Sequence, residues 1–382
     1  MWSPIRVKPL KSRSDRLVGK SMIIESIELK NYRNYKELHM EFNQGTNILY
    51  GDNAQGKTNI LEAVYLCGTT KSHRGSKDRE VIHFNEDESH IRMFVCRDDV
   101  AHKIDMHLKK NKPKGIAIDG VPIRKASELF GIVNIVFFSP EDLNIIKNGP
   151  SERRRFVDSE LSQLNRFYLV QLANYNKVVM QRNKLLKEIR DSESLRSTLD
   201  IWDEQMVVYG RSLILERMKF VSQLNEILSE IHKQLTGGKE AIELIYEPNV
   251  EADHFEKHLH KSREKDLQLR SSSIGPHRDD LCVKVNGIDI RRFGSQGQQR
   301  TAALSMKLSE IYLVKQMIKD TPILLLDDVL SELDSSRQNY LLKSIGEIQT
   351  FITCTGLDEF VENQFRVNKV FQVVEGTVVQ GI

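Results

Sequence analysis

The sequence predicts an α/β protein of two lobes, in which a mainly helical insert interrupts a lobe of mixed strands and helices. Three observations carry this. A glycine-rich loop, Gly51–Thr58, lies between an apolar strand pattern and a helical one. The hydrophobic period changes from two to about three and a half at Ser151 and returns to strand character after residue 275. The strongest apolar run, Ile323-Leu324-Leu325-Leu326, is strand length and ends in two aspartates, as a buried parallel strand does. At 382 residues the chain exceeds the size at which one core usually stops growing.

In chain order, residues 1–21 form a basic leader with no apolar core of its own, so it is not a secretory signal. A targeting peptide would fit its composition, but a mis-assigned start or an added segment fits better, and it is set outside the fold. Residues 22–145 make the first half of the α/β lobe. Strands are expected at Ile27–Leu29, Met40–Phe42 and Asn47–Tyr50, then a helix over Asn59–Cys67 that buries Ile60, Leu61 and Ala63. Further strands are expected at Ile91–Cys96, Lys103–Leu108, Ile116–Ile118 and Ile132–Phe138. Residues 146–275 make the helical lobe. Leu161, Leu164, Tyr168, Leu172, Tyr175 and Val179 lay one apolar stripe on a helix. A second stripe runs Met218, Val221, Leu224, Leu228, Ile231 and Leu235 until Gly237-Gly238 stops it, and Arg190–Thr198 is a polar hinge between them. Both stripes read as helical core rather than a cofactor box. Residues 276–382 return to the α/β lobe, with strands at Leu281–Asn286, Ile323–Leu326 and Thr350–Thr353 and a helix over Ala302–Ile318.

Composition narrows the class. A hydrophobic share of 40% with 29% charged residues suits a globular protein, and no run reaches membrane-spanning length. Four scattered cysteines, Cys67, Cys96, Cys282 and Cys354, offer neither a zinc pattern nor a disulfide framework, which points to a reducing, cytoplasmic setting. The net charge of +3 is misleading, because the leader alone contributes +5 and leaves the body at −2. Nucleic-acid affinity would have to come from a local patch.

Gly51-Asp52-Asn53-Ala54-Gln55-Gly56-Lys57-Thr58 matches the P-loop pattern G-x-x-x-x-G-K-[ST] in the right strand–loop–helix context. Glycines let backbone N–H groups wrap phosphate oxygens, Lys57 should reach the β- and γ-phosphates, and the Thr58 hydroxyl should ligate Mg²⁺. ATP with Mg²⁺ is therefore the expected ligand pair. Asp327 is delivered beside this loop by its strand and is expected on the Mg²⁺ side, directly or through water. Asp328 is placed to orient or deprotonate attacking water. Capping the following turn is the alternative for Asp328.

Two further segments define the class. Phe293-Gly294-Ser295-Gln296-Gly297-Gln298-Gln299-Arg300 resembles the signature motif of ABC-type ATPases, and Ser331-Glu332-Leu333-Asp334 resembles their D-loop. In that superfamily the signature serine and glycine of one subunit contact the γ-phosphate held by the other. The resemblance thus assigns Ser295, Gly297 and Gln298 to nucleotide binding, and Ser295 with Lys57 and Asp328 to catalysis. Leu29–Tyr35, Gly51–Thr58 with Asn59 and Glu62, Lys71–Arg74, Phe138–Leu143, Ser151–Phe156, Gly275–Asp280 and Leu326–Ser331 are similar, in order, to blocks of the RecF family of recombination-mediator ATPases. The similarity spans about residues 22–360. It implies an ABC-type P-loop ATPase head with mixed sheets, ATP-dependent homodimerisation, and binding of single-stranded, gapped or double-stranded DNA. It also implies work with RecO and RecR to load RecA, and a part in replication and the SOS response.

Some features depart from the superfamily. Asp328 stands where most ABC-type ATPases carry glutamate, one methylene longer, so slow turnover is expected. Glu141 is the nearest counterpart of the Q-loop glutamine, and Thr353 or Thr355 fills the switch position. His277-Arg278-Asp279 resembles the kinase catalytic triplet, but that motif needs an asparagine where Lys284 stands. His277 and Arg278 are read instead as lobe-junction residues within reach of the nucleotide. Arg153-Arg154-Arg155 is either a phosphate-contact patch or an ion-paired helix start beside Glu152 and Asp158, and Arg74 touches nucleotide or DNA. A nucleotide-gated assembly module with incidental hydrolysis is the competing function. An SMC-type arm protein is disfavoured, because residues 151–275 are too few for long paired helices.

Overall fold

The computed structural model describes residues 22–189, 193–357 and 366–380. The leader, and residues 190–192 of the expected hinge, lie outside the described residues. The chain opens with a hairpin of β1 (Ile23–Tyr32) and β2 (Tyr35–Glu41), then β3 (Thr46–Tyr50) runs into α1 (Lys57–Thr69). An antiparallel meander follows: β4 (Glu88–Arg97), β5 (Val100–Lys109), β6 (Lys112–Ile118) and β7 (Val121–Ile123). β8 (Ile135–Phe138) and α2 (Leu143–Lys147) lead to α3 (Pro150–Leu164), α4 (Arg166–Glu188) and α5 (Leu199–Leu235). Then come β9 (Ile242–Glu247), α6 (Phe255–Lys261), α7 (Arg263–Leu269), β10 (Asp280–Val285), β11 (Ile288–Asp289) and α8 (Ile290–Phe293). The chain ends with α9 (Gln296–Ile318), β12 (Ile323–Asp327), α10 (Ser335–Ser344), β13 (Thr350–Cys354), β14 (Lys369–Val374) and β15 (Thr377–Gln380).

Two six-stranded sheets sandwich α1. The outer sheet is antiparallel in the order β2-β1-β4-β5-β6-β7. The inner sheet runs β15-β14-β3-β13-β12-β8, with five parallel strands and β15 antiparallel on the edge. β12 and β13 are buried at every residue, as strands covered on both faces must be. Ile60, Leu61 and Ala63 of α1 are fully buried with Ile27 and Leu29 on one side and Ile323, Leu325 and Phe351 on the other. This packing fixes the loop before α1 against the ends of β12 and β13. Among the described residues no helix is long and apolar enough to cross a membrane.

Three expectations need correction. The first apolar stripe belongs to two helices, because Asn165 ends α3 in extended backbone and caps α4 by accepting a hydrogen bond from the Tyr168 N–H at 3.1 Å. Met218, placed on the second stripe, is exposed, while Val221, Leu224, Leu228 and Ile231 of that stripe are buried. α5 has 37 residues, about 55 Å of helix, yet it packs against α4 and then α9 and does not project as an arm. The division expected at residue 275 runs through a three-stranded sheet, since β9 pairs with β10 from Ile242–Val285 to Glu247–Asp280. Leu281, Val283 and Val285 share one core with Tyr168, Leu213 and Phe220 of the helices.

Candidate nucleotide-binding site

The glycine loop is shaped by what surrounds it. Gly51 sits at φ 147°, and a Cβ there would lie 2.3 Å from the Val373 carbonyl oxygen of β14. Gly56 sits at φ 114°, and a Cβ there would meet Asn34 Nδ2 at 2.4 Å and Tyr35 Oη at 2.7 Å. Only glycine satisfies both the torsion and the space. Two hairpin turns brace the loop from behind: Asn34 Nδ2 donates to the Gln55 carbonyl at 3.0 Å, and the Gly376 and Glu375 N–H groups donate to Gln55 O and Oε1 at 3.3 and 2.5 Å. The Lys57 ammonium lies within the loop, donating to the Gly51 and Asp52 carbonyls at 2.6 and 2.9 Å.

At the end of β12 the Thr58 hydroxyl donates to Asp327 Oδ1 at 2.7 Å, and the Thr353 hydroxyl donates to the same oxygen at 2.7 Å. Burial raises the Asp327 pKa, while the Thr353 and Thr58 bonds pull it down, neighbouring Asp328 pushes it up and the Arg74 charge lowers it. A buried carboxylate bonded, among the described residues, by two hydroxyls, one of them at the start of α1, is a set of hard oxygens that suits Mg²⁺. Asp328 takes a positive φ of 51°, and its N–H donates to Thr353 Oγ1 at 2.9 Å. The expected alternative, a capping carboxylate, is not seen: the following turn has no side-chain cap, and Ser331 Oγ instead donates to the Asp328 carbonyl at 2.8 Å. A crevice of about 430 Å³ opens here, lined by Asn53, Asp328, Ser331, Glu332, Thr353 and Thr355 among others. It brings together Asn53 of the P-loop, Asp328 of the paired aspartates, the D-loop segment and the turn after β13. Thr353 is buried bracing both aspartates, whereas Thr355 is exposed to the crevice. Pro140 lines the same crevice, with exposed Glu141 next in sequence on a cavity it shares with Arg74.

The signature segment lies elsewhere. Ser295 caps α9 through a reciprocal box, accepting from Gln298 N–H at 3.2 Å while its own N–H donates to Gln298 Oε1 at 3.1 Å. Gln298 Nε2 donates to Glu240 at 2.9 Å. Ser295, Gln296 and Gly297 are exposed, flanked by Phe293 at 76% exposure, and no residue of 294–300 lines the crevice.

Other expected contacts resolve into structure. Arg153 is buried and grips Asp280 with two bonds of 2.7 and 3.0 Å, and Arg154 donates to the Asp279 carbonyl at 2.6 Å. Those two form a clamp between α3 and β10, not a phosphate patch. His277 contacts Tyr175 Oη at 2.7 Å and the Ser272 carbonyl at 3.0 Å inside the helical lobe, and neither it nor Arg278 lines the crevice. Sequence reasoning missed Asn34 and the Glu375-Gly376 turn as loop braces. An asparagine and an acidic-glycine turn between alternating apolar residues are the available signals.

The RecF/RecN/SMC N terminal domain family matches residues 23–379. The DNA replication and repair protein RecF of Lachnospira eligens is 62% identical over 360 residues, covering 94% of this chain and 99% of that protein. The chain belongs to the RecF family. RecF of Clostridium perfringens is 46% identical over 362 residues, covering 94% and 99%. A solved structure of the recombination mediator protein RecF-ATP in the RecFOR pathway is 36% identical, with a TM-score of 0.89 and coverage of 97% of this chain and 100% of that one. An Smc head domain from Pyrococcus furiosus, 19% identical with a TM-score of 0.55 over 94% of this chain and 96% of that one, shares the fold of this RecF-family head. The fold is that of an ABC-type ATPase head.

Proposed function

We propose that this RecF-family chain binds Mg²⁺-ATP at Gly51–Thr58, hydrolyses it slowly, and in the ATP-bound dimer holds DNA for recombinational repair. The supporting observation is a division of labour on the surface. The crevice is lined by Asn53 of the P-loop, by Asp328 and by Thr353, and Thr353 and Thr58 both hydrogen-bond Asp327 behind it, while Ser295 and Gly297 sit exposed at the start of a 23-residue helix outside that lining. A helix N-terminus with a serine hydroxyl suits a phosphate, and a second subunit would bring one to it.

In this mechanism Asp52–Gly56 amides and Lys57 hold the phosphates, and Thr58 with Asp327 holds Mg²⁺. The ion neutralises phosphate charge when bound. Asp328 polarises water from the crevice wall, Thr353 holds both aspartates in place, and Thr355 or Glu141 senses the γ-phosphate side. The D-loop segment is coupled to the signature helix: Arg337 pairs with Asp334 at 2.6 Å and donates to Thr301 at 2.7 Å. Single-stranded, gapped and linear double-stranded DNA, RecO and RecR as partners, RecA loading, the SOS response and a cytoplasmic setting belong to the same reading through the family. The competing assembly-module reading draws on Asp328 itself, whose short side chain stands on a backbone of positive φ.

ATP turnover with and without gapped DNA separates the two. Stimulation by DNA, lost in Lys57→Ala and reduced about 10²–10⁴-fold in Asp328→Asn with ATP still bound, supports the ATPase clamp. Absence of turnover at every DNA concentration supports the assembly module.

A further inference from the structure

On the solvent face of the outer sheet, β4 and β5 set two histidines directly across from one another: His90 and His107 are register partners. Strand alternation enforces this, since Ser89, Ile91, Met106 and Leu108 are buried and the residues between them must face outward. The two rings stack at 3.9 Å between centroids with 21° between planes, and His107 Nε2 lies 3.1 Å from Glu88 Oε2. One ligand atom from each of Glu88, His90 and His107 lies within 4.8 Å of the others. The strand beyond, β6, presents Gly115 opposite His107, so no side chain covers the pair from that side, and a groove of about 740 Å³ opens there.

Neighbouring acids on this face are already neutralised, because Arg92 bridges Glu28 at 3.2 Å and Asp105 at 2.6 Å. The trio differs. Glu88 receives both Lys109, at 3.0 Å, and His107 on Oε2, and among the described residues Oε1 and the His90 ring make no hydrogen bond. Two imidazoles and one carboxylate are a donor set for zinc and its neighbours. We propose that Glu88, His90 and His107 bind one divalent transition-metal ion of the zinc class, with its remaining position open to the groove. Tetrahedral ligands at about 2.0–2.1 Å from zinc sit about 3.3 Å apart, so ligand atoms now within 4.8 Å of one another would close by at most about 1.5 Å. Ligation through His107 Nε2 requires the proton it shares with Glu88 to move to Nδ1. The ion would cross-link β4 to β5 and stabilise the folded chain by mass action.

Calorimetric titration of zinc chloride into the untagged full chain tests this, with the thermal midpoint followed in parallel. Expected are one zinc per chain, a raised midpoint, and binding weakened about tenfold or more by either His90→Ala or His107→Ala. His254→Ala, at an exposed histidine elsewhere, should change neither. Without metal the variants should melt as the parent does, because both side chains lie on the sheet's outer face. No saturable uptake by the parent, or unchanged affinity in the His90→Ala/His107→Ala double variant, would overturn the proposal.

Discussion

Replacing Thr353 with valine removes one hydroxyl from a fully packed position and should disturb both aspartates of the site. The side chain is 1% exposed, and valine has nearly its shape, so packing survives and hydrogen bonding does not. Two bonds are lost, the 2.7 Å donation to Asp327 and the 2.9 Å bond from the Asp328 N–H. A bond to a charged group contributes about 1.5–3 kcal/mol, and a stranded buried N–H costs about 1–3 kcal/mol. Asp328 is also held at φ 51°, a region that costs an L-residue about 1–2 kcal/mol unless its surroundings enforce it. These effects overlap, so the expected loss is about 2–4 kcal/mol, read as an earlier denaturation midpoint and weaker Mg²⁺-ATP binding by calorimetry. Thr353→Ser should restore both. If Thr353→Val matches the parent within about 0.5 kcal/mol and binds Mg²⁺-ATP equally well, the Thr353 brace is not what sets the site.

The remaining stability predictions concern buried charge. Burial, together with Arg74 and Arg155 and against Glu62, pushes the His73 pKa down to about 4, and its ring stacks on Phe137 at 4.0 Å. A histidine depressed below its unfolded value stabilises fully above about pH 6.5 and loses that contribution as pH falls through about 4. His73→Phe keeps the stack without the titration, so its stability relative to the parent should improve by up to about 3 kcal/mol between pH 7 and 4; a gap that stays flat with pH refutes the assignment. In the helical lobe, fully buried Arg182 pairs with Asp203 at 2.6 Å and Asp266 at 2.7 Å. Asp203→Ala leaves that guanidinium under-compensated and should cost about 3–5 kcal/mol in urea unfolding, whereas a loss below about 1 kcal/mol would show the network is slack.

The parts legible in the sequence are those where local pattern and burial agree. Tyr50 into Gly51–Thr58 into α1, and Ile323–Leu326 into Asp327, are strand–loop–helix and buried-strand patterns with one reading each. What was hidden depends on distant partners. Asn165 looks like an interior helix position until the Tyr168 N–H is seen to need its side chain. β9 is a short strand whose pairing with β10 crosses the break between insert and main lobe, so no local signal assigns it. β14 and β15 carry a hairpin pattern around Glu375-Gly376, both at positive φ, yet their role against Gly51 emerges only from the inner sheet. The arginines at 153 and 154 illustrate the limit of charge patterns, because Asp280, about 130 residues onward, turns a basic run into a clamp. Composition predicts charge but not which charge will be buried.

The exposed position of Ser295, apart from the crevice, makes the shared site the claim most open to direct test. Sedimentation velocity with Mg²⁺-ATP, in the Asp328→Asn background so that nucleotide persists, measures it. ATP should convert monomer to dimer, ADP should not, and Ser295→Arg should stay monomeric while binding ATP nearly as well as its background. A Ser295→Arg chain that dimerises equally, or an Asp328→Asn chain that stays monomeric at every ATP concentration, would contradict the account.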